Sequence, residues 1–467
     1  MREFSGRRAG RTGCLAILAL TLASCASIPP RPLVADSNAA SLEARELDDP
    51  RLLAFLAAAD ASAPAGGRWD LHQLTLAAVY FHPDLDVADA QLAVAQAAIR
   101  TAAQRPNPSF NLTPQFNATN ANPTAWTIGT AINLLLELFG KREARTDEAK
   151  ALTEAARFDV ANVSWQVRGR VRAAMLALWG AEQRAGLIAR RRDLQTELAA
   201  LVERRLAAGD VSALDAGRER ANRDILVLAV SDAARDIADA RVSLASAIGV
   251  PVHALTGLVL DYAALADAKQ PSDVATLRKT ALTARSDVRA SLARYAASEA
   301  ALKLQLANRL PNLSIGPGYQ YDQGDNKFSL SLQTDLPVFN ANGGPVAEAM
   351  AHRREAAANF TALQAGIITE IDRAEAARKS TGASLVAADT LAAQQADRAR
   401  RNMRVFNAGA IDRVTLLTGE IDYAAGQESR LQALIAERTA LGQLEDALRV
   451  PIFTKALPAA STNRTMP

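Results

Sequence analysis

Cysteine is almost absent from this chain, with only Cys14 and Cys25 in 467 residues. Two thiols cannot build a disulfide framework or a cysteine-ligated metal centre. Histidine is as scarce: His72, His82, His253 and His352 are scattered and show no ligand spacing. No nucleophile–histidine arrangement and no phosphate-binding glycine loop occurs, so catalysis has no visible machinery. The expectation is a protein that is not an enzyme, with no metal and no cofactor. Proline is missing where it would matter most. None interrupts Lys141–Ala207, a stretch whose only glycines are Gly169, Gly180 and Gly186.

An excess of charge is lacking too, once the N-terminus is set aside. Arg2, Arg7, Arg8 and Arg11 form a basic region, followed by the short apolar run "CLAILALTLA". This is the pattern of an export signal, and the run falls well short of the ~20 residues of a spanning helix. "LASC" (Leu22–Cys25) resembles a bacterial lipobox, which implies cleavage before Cys25 and its lipidation, palmitate included. Residues 1–24 hold four Arg and one Glu, so the full chain's 53 basic and 50 acidic residues become 49 and 49. The neutral remainder gives no reason to expect nucleic acid as a partner. An acylated Cys25 would tether the protein to a bilayer.

The chain is written twice. "PDLDVADAQLAVAQAAIRTAAQRPNPSF" (Pro83–Phe110) matches "SDVRASLARYAASEAALKLQLANRLPNLSI" (Ser286–Ile315). In both, a helix-prone run ends in a Pro-Asn turn and then alternates. "RRLAAGDVSAL" (Arg204–Leu214) stands 200 positions before "RVFNAGAIDRV" (Arg404–Val414). The same offset pairs Gly209 with Gly409, Leu244 with Leu444, and Val250-Pro251 with Val450-Pro451. Each copy reads helix, hairpin, very long helix, turn, long helix. At ~1.5 Å per residue the first long helix would extend about 100 Å. Leucines recur every seven residues at Leu187, Leu194 and Leu201 and at Leu434, Leu441 and Leu448. Leu385, Ala392, Ala399 and Phe406 keep the same spacing, so helices should pack along their length. Pro345 is placed as a first-turn proline, and Gly209 and Gly409 as the glycines where the helices reverse.

Four segments alternate with period 2. Phe110, Leu112 and Phe116 lie on one side of the first, with Trp126, Ile128 and Ile132 on one side of the second. Phe328, Leu330 and Leu332 form the corresponding column of the last. The opposite sides carry Ser, Thr, Asn and Gln. Each segment has the length of a tilted membrane strand. In hydrocarbon every backbone polar group must be paired, so such strands survive only in a closed barrel. Four are too few to close one, so chains must pool their strands. Pro114 and Pro317 fall on the apolar register inside two of the segments, each removing a ladder donor.

These features together resemble the outer membrane factor family, the TolC- and OprM-like channels of Gram-negative tripartite exporters. The resemblance spans about residues 70–455 and rests on "HPDL", "RPNP", "LPNL", "LFGKRE", "LPVFNANGG" and the paired "AAG" and "NAG" turns. It implies a mainly α fold with a small β part. Long antiparallel helices would form a trimeric α-barrel, and four strands per chain a pooled twelve-stranded transmembrane β-barrel. The expected organisation is a signal peptide (1–24), a lipidated N-terminal and equatorial segment (25–70), two repeats (71–260 and 261–455) and a C-terminal tail (456–467). The implied function is the outer-membrane duct of a tripartite efflux system, exporting drugs or heavy metals. The implied partners are two further copies of the chain, a periplasmic adaptor, an inner-membrane pump of the resistance-nodulation-division type, and outer-membrane lipid. A structural coiled-coil lipoprotein without a pore is the competing reading.

In the family the helix turns form a periplasmic tip and gate. The positions that map there are Gly209, Asp210 and Asp215, and then Gly409, Asp412, Arg413, Thr415 and Thr418. Asp215 matches the family's acid after the turn. Thr415 and Thr418 depart from it, so Asp412 and Arg413 are the alternative source of gating charge. The lipid-facing expectation covers Phe110, Leu112, Trp126, Ile128, Phe328, Leu330 and Leu332. "GKRE" is similar to members that work with heavy-metal pumps, or is simply basic sequence at the junction of barrel and tunnel.

Overall fold

The computed structural model describes residues 29–59, 67–118, 125–268 and 273–455, and Cys25 lies outside them. The chain forms two compact units. In the first, Met1–Arg45, the described helix is α1 (Ala35–Glu43). The second, Glu46–Pro467, holds everything that follows.

Its helices in chain order are α2 (Pro50–Ala58), α3 (Leu71–Phe81), α4 (Pro83–Ala103), α5 (Lys141–Ala207) and α6 (Ala213–Ile248). Then come α7 (Ala263–Ala266), α8 (Val274–Ala284), α9 (Ser286–Ala307), α10 (Gly343–Asn407) and α11 (Arg413–Leu448). The starts are set by local chemistry. Asp70 and Gln73 make a reciprocal capping box on α3. Pro83 opens α4, where its missing N–H costs nothing. The proline-free stretch is one 67-residue helix, α5.

α5 is the hub. Its first part packs on α4 and α9, its middle on α3, and its later part on α6 and α11, while α10 packs on α9 and α11. Where the four longest helices run together, the order across the layer is therefore α6–α5–α11–α10. The seven-residue spacing holds, but the deepest column on α5 runs one residue beyond the leucines: Ile188, Gln195 and Val202 are buried, with Leu198 and Ala199 beside them. Leu187, Leu194 and Leu201 are half-buried flanks of that seam.

The main core gathers α2, α3, the middle of α5 and the end of α6, with Leu52, Leu56, Leu74, Met175 and Ile248 among its buried members. A two-stranded parallel sheet, β1 (Arg68–Asp70) with β4 (Val259–Asp261), stands next to it. No local pattern announces these three-residue strands. Gly249, at φ +87°, ends α6 so close to α3 that a Cβ there would lie 2.9 Å from the Phe81 carbonyl oxygen.

An ionic cluster lies between α5 and α11. Glu445, fully buried, accepts from Arg168 at 2.7 Å and from Arg172 at 3.1 Å. Arg172 also reaches Asp446 at 2.6 Å. Arg168 donates onward to the carbonyls of Thr454 and Lys455, which pins the chain beyond α11. Gly442 makes room: a Cβ there would meet Arg172 Nε at 2.7 Å. Removing one member of such a set leaves uncompensated buried charge, typically at 3–5 kcal/mol. Glu445→Ala should therefore lower unfolding stability by about that amount, read by thermal or denaturant unfolding of the purified protein. A loss below about 1 kcal/mol would mean the two arginines find solvent.

Candidate functional site

Three regions could carry function: a four-stranded sheet at one end of the long helices, the turns between helices at the other, and the junction where strands become helices.

The sheet has the order β2 (Ser109–Phe116), β3 (Trp126–Leu136), β5 (Leu313–Asp322), β6 (Asp325–Thr334), antiparallel throughout. Its register puts the apolar columns on one face. Phe110 stands opposite Ile132, Phe116 opposite Trp126, Ile315 opposite Leu332, and Tyr319 opposite Phe328. All seven residues expected to face lipid lie on that face, and all are exposed, Phe328 at 83% and Leu330 at 68%. Both prolines fit without a bulge. Pro114 sits on an edge strand and keeps its place opposite Ile128. Pro317 is interior: the β3–β5 pairing lapses at Gly316 and Pro317 and resumes in the same register, while the β5–β6 pairing runs unbroken.

At the junction, each repeat turns from strand to helix through two consecutive residues of positive φ, Phe139 and Gly140 in the first and Ala341 and Asn342 in the second. Lys141 of "GKRE" and Arg145 just beyond it hold the neighbouring Pro-Asn turns. Lys141 is buried and donates to the Leu310 carbonyl at 2.6 Å and to Asn312 Oδ1 at 2.8 Å. Burial draws its ammonium below the usual lysine range. Arg145 pairs with Glu137 at 2.8 Å and donates to the Ala102 carbonyl at 3.0 Å. In the second repeat Asn342 Nδ2 performs the equivalent task on the Gln305 carbonyl at 2.7 Å.

At the other end the structure brings both helix turns together. Leu198, Val202, Ala216 and Leu417 form a small core beneath them. Gly209 (φ +83°) and Gly409 (φ +77°) make the reversals, each followed by an amide that reaches back to the helix it leaves: Asp210 N–H to the Arg205 carbonyl, Ala410 N–H to the Val405 carbonyl. Ser212 caps α6 by accepting from the Asp215 amide and donates its own hydroxyl to that carboxylate at 2.7 Å. Asp412 caps α11 through the Thr415 amide and pairs with Arg205 at 2.8 Å. Arg413 pairs with Glu197 at 2.7 Å. Thr418 donates to the Val414 carbonyl within its own helix. Thus two ion pairs tie the start of α11 to the end of α5. Their partners, Arg205 and Glu197, carry no local sequence signal and were not among the candidates.

A duplicated hairpin-and-long-helix chain, with its strands in one sheet and its turns at the opposite pole, has the protomer fold of TolC-like outer-membrane channels. Solved structures agree. The outer-membrane channel OprN covers 82% of this chain and 91% of its own, with TM-score 0.66 and 19% identity. VceC of Vibrio cholerae covers 81% and 95%, also at TM-score 0.66, with 18% identity. Residues 78–250 match the family model described as outer membrane efflux protein. Among curated relatives, the cobalt-zinc-cadmium resistance protein CzcC of Cupriavidus metallidurans is 23% identical over 366 residues, 78% of this chain and 84% of its own.

Hydrogen bonds from Thr415, with Arg205 assisting, hold the Asp412 carboxyl at about 2, below its usual value. A depressed carboxyl stabilises the folded state above the unfolded pKa, near 4, and the contribution fades as pH falls toward 2. Spin labels placed at Ala208 and Ala410 should show a distance distribution that broadens between pH 4 and pH 2. Asp412→Asn should remove that step. An unchanged wild-type distribution across the interval would refute the link.

Proposed function

We propose that this protein is the outer-membrane duct of a tripartite efflux system, receiving substrate from a periplasmic adaptor and an inner-membrane pump of the resistance-nodulation-division type. The observation that carries it is the sheet. Its two faces differ in polarity, its apolar face is bare, and both edge strands have only one neighbour among the described residues. Such a sheet is admissible in a bilayer only if other copies complete the ladder into a closed barrel. A trimer would supply twelve strands, within the size range of known barrels. The long helices, which include none apolar enough to cross a membrane among the described residues, would continue the duct through the periplasm. Cys25 would add a lipid anchor. The name of the cobalt-zinc-cadmium resistance relative makes divalent metal the first cargo to test.

The gate belongs to the same proposal. Gly209, Asp210, Asp215, Gly409, Asp412, Arg413, Thr415 and Thr418 would line or shape the periplasmic mouth, and an adaptor would open it by offering these groups better partners. The Arg205–Asp412 and Glu197–Arg413 pairs supply the closing bias. Each exposed pair contributes only ~0–1 kcal/mol, but repetition around a trimer multiplies it.

Single-channel recording on the purified protein tests the duct, and a poreless coiled-coil lipoprotein would carry no current. Leu330→Arg should impair assembly by on the order of 2–4 kcal/mol if the residue lies near the bilayer midplane. Ser331→Arg, on the opposite face, should assemble and lower conductance; equal assembly of the two would contradict the facing. Asp412→Ala with Arg413→Ser should raise resting conductance and sensitise cells to vancomycin. Wild-type conductance in an assembled double variant would move the gate elsewhere.

A further inference from the structure

Duplication allows one joint of this chain to be compared with its own copy. The matched runs that begin at Pro83 and Ser286 put His82 level with Arg285, Asp84 with Asp287, and α3 with α8. The backbone agrees in both places. Asp70 and Asp273 cap the two entering helices, and the amides of His82 and Arg285 donate to the equivalent carbonyls of Ala78 and Ala281. His82 and Arg285 are both buried, each at the step from one helix to the next.

The two side chains act differently. Arg285 provides no side-chain cap for α9 and instead grips Asp287, two residues on, at 3.1 and 2.7 Å. It also donates to Glu370 on α10 and to the Ala447 carbonyl at the end of α11. His82 caps α4: its Nδ1 accepts from the Asp84 amide at 3.1 Å, which makes the ring neutral with its proton on Nε2. The Asp84 carboxylate stands 3.9 Å from the same nitrogen and is held at 2.7 Å by Arg170 on α5. That hydrogen bond keeps the Asp84 carboxyl below its usual range, so it remains an acceptor wherever a histidine titrates. The backbone has little room to yield, since a Cβ on Gly249 would lie 3.0 Å from the His82 Cα.

A protonated Nδ1 cannot accept an amide. It must release the cap and donate to Asp84, which is the pairing Arg285 already makes with Asp287. A cation is also disfavoured at the start of a helix, where the macrodipole is positive. Few other groups bear on the joint. Asp84 and Asp86 lie in the first turn of α4 and Arg170 on α5; the last turn of α3 brings only Tyr80, and that of α6 no ionisable side chain. Burial draws His72, at the far end of α3, below the usual histidine range, so it titrates at lower pH.

We propose that His82 and Asp84 form an acid-responsive joint between α3 and α4. Neutral, the imidazole caps α4; protonated, it leaves the cap for the Asp84 carboxylate and loosens the first turn of that helix. Histidine is the side chain whose charge ordinarily changes between pH 5 and 8. With Arg285 at the matching position, the second repeat is set permanently in the ion-paired form. Acid therefore makes the two repeats alike at a point where they differ at neutral pH. The joint lies within one chain and does not depend on the duct reading.

Hydrogen exchange of the first turns of α4 and α9, followed by mass spectrometry on the full-length protein between pH 8 and pH 5, tests this. Rates are corrected for the intrinsic effect of pH. In the wild type the α4 turn should exchange severalfold faster at pH 5 than at pH 8, and the α9 turn should show no step. His82→Asn, which caps without titrating, should keep the slow rate throughout. His82→Arg should show the fast rate throughout. A constant wild-type rate, a step that survives in His82→Asn, or an equal step in α9 would overturn the proposal.

Discussion

A sheet with two free edges is the constraint on which the rest of this molecule turns. Among the described residues, β2 and β6 each present one row of backbone groups with no partner. In water such edges invite aggregation; in hydrocarbon they are inadmissible. The sequence responds to both conditions together. The strands alternate strictly enough that a slip of one residue would turn Phe328, Leu330 and Leu332 to the polar side. The proline on β2 is at an edge, where loss of a donor leaves the β2–β3 register intact. The interior proline is answered by a two-residue lapse in one ladder while the ladder on its other side continues. Two hairpins that would be marginal alone thereby keep one register and one apolar face across all four strands.

Duplication solves the geometry once and then lets the copies diverge in chemistry. Both strand-to-helix turns use consecutive residues of positive φ, yet one is Phe-Gly and the other Ala-Asn. Arg145 reaches back to the end of α4 beside the first Pro-Asn turn, and Lys141, from the same helix, holds the second. The first repeat supplies a buried ammonium and a guanidinium, and the second an asparagine amide and Arg309, whose Nε donates to the Ala341 carbonyl at 3.2 Å. At the opposite pole the caps differ in the same way. Ser212 is neutral, whereas Asp412 is charged and can therefore serve as cap and ion-pair partner together. Basic sequence after β3 thus has a structural role that accounts for its position without reference to cargo.

What could be read from the residues is what local spacing encodes. The bounds of α5 follow from the absence of proline and the glycine at its end. The strand faces follow from strict alternation, and the reversals from Gly209 and Gly409. What could not be read pairs residues far apart. Arg168 and Glu445 are 277 positions from each other, and neither has a neighbour that marks it as buried. The β1–β4 pairing joins two three-residue segments through tertiary packing alone. On α5 the heptad leucines marked the period, but the partners α6 and α11 set which column is deepest, and Gln195 is buried there because Glu219 accepts its amide at 2.7 Å. At the tip, Glu197 and Arg205 were indistinguishable from solvated helix charges until α11 was placed beside them.

The ties between α5 and α11 weaken along the helices. At Glu445 the carboxylate is fully buried between two buried arginines. Farther along, Arg184 and Arg191 share Glu428, which is 13% exposed in its side chain. At the turns, Arg205–Asp412 and Glu197–Arg413 lie about two-fifths exposed. Separating a buried pair exposes each charge to a medium that cannot solvate it, whereas the exposed pairs exchange one another for water at little cost. Motion of α11 against α5 is therefore cheapest at the turns and most resisted at Glu445. If the turns are a gate, the helix would part from its neighbour like a lever fixed at the core. An adaptor acting at the tip would then need to overcome only the weakest of the three contacts.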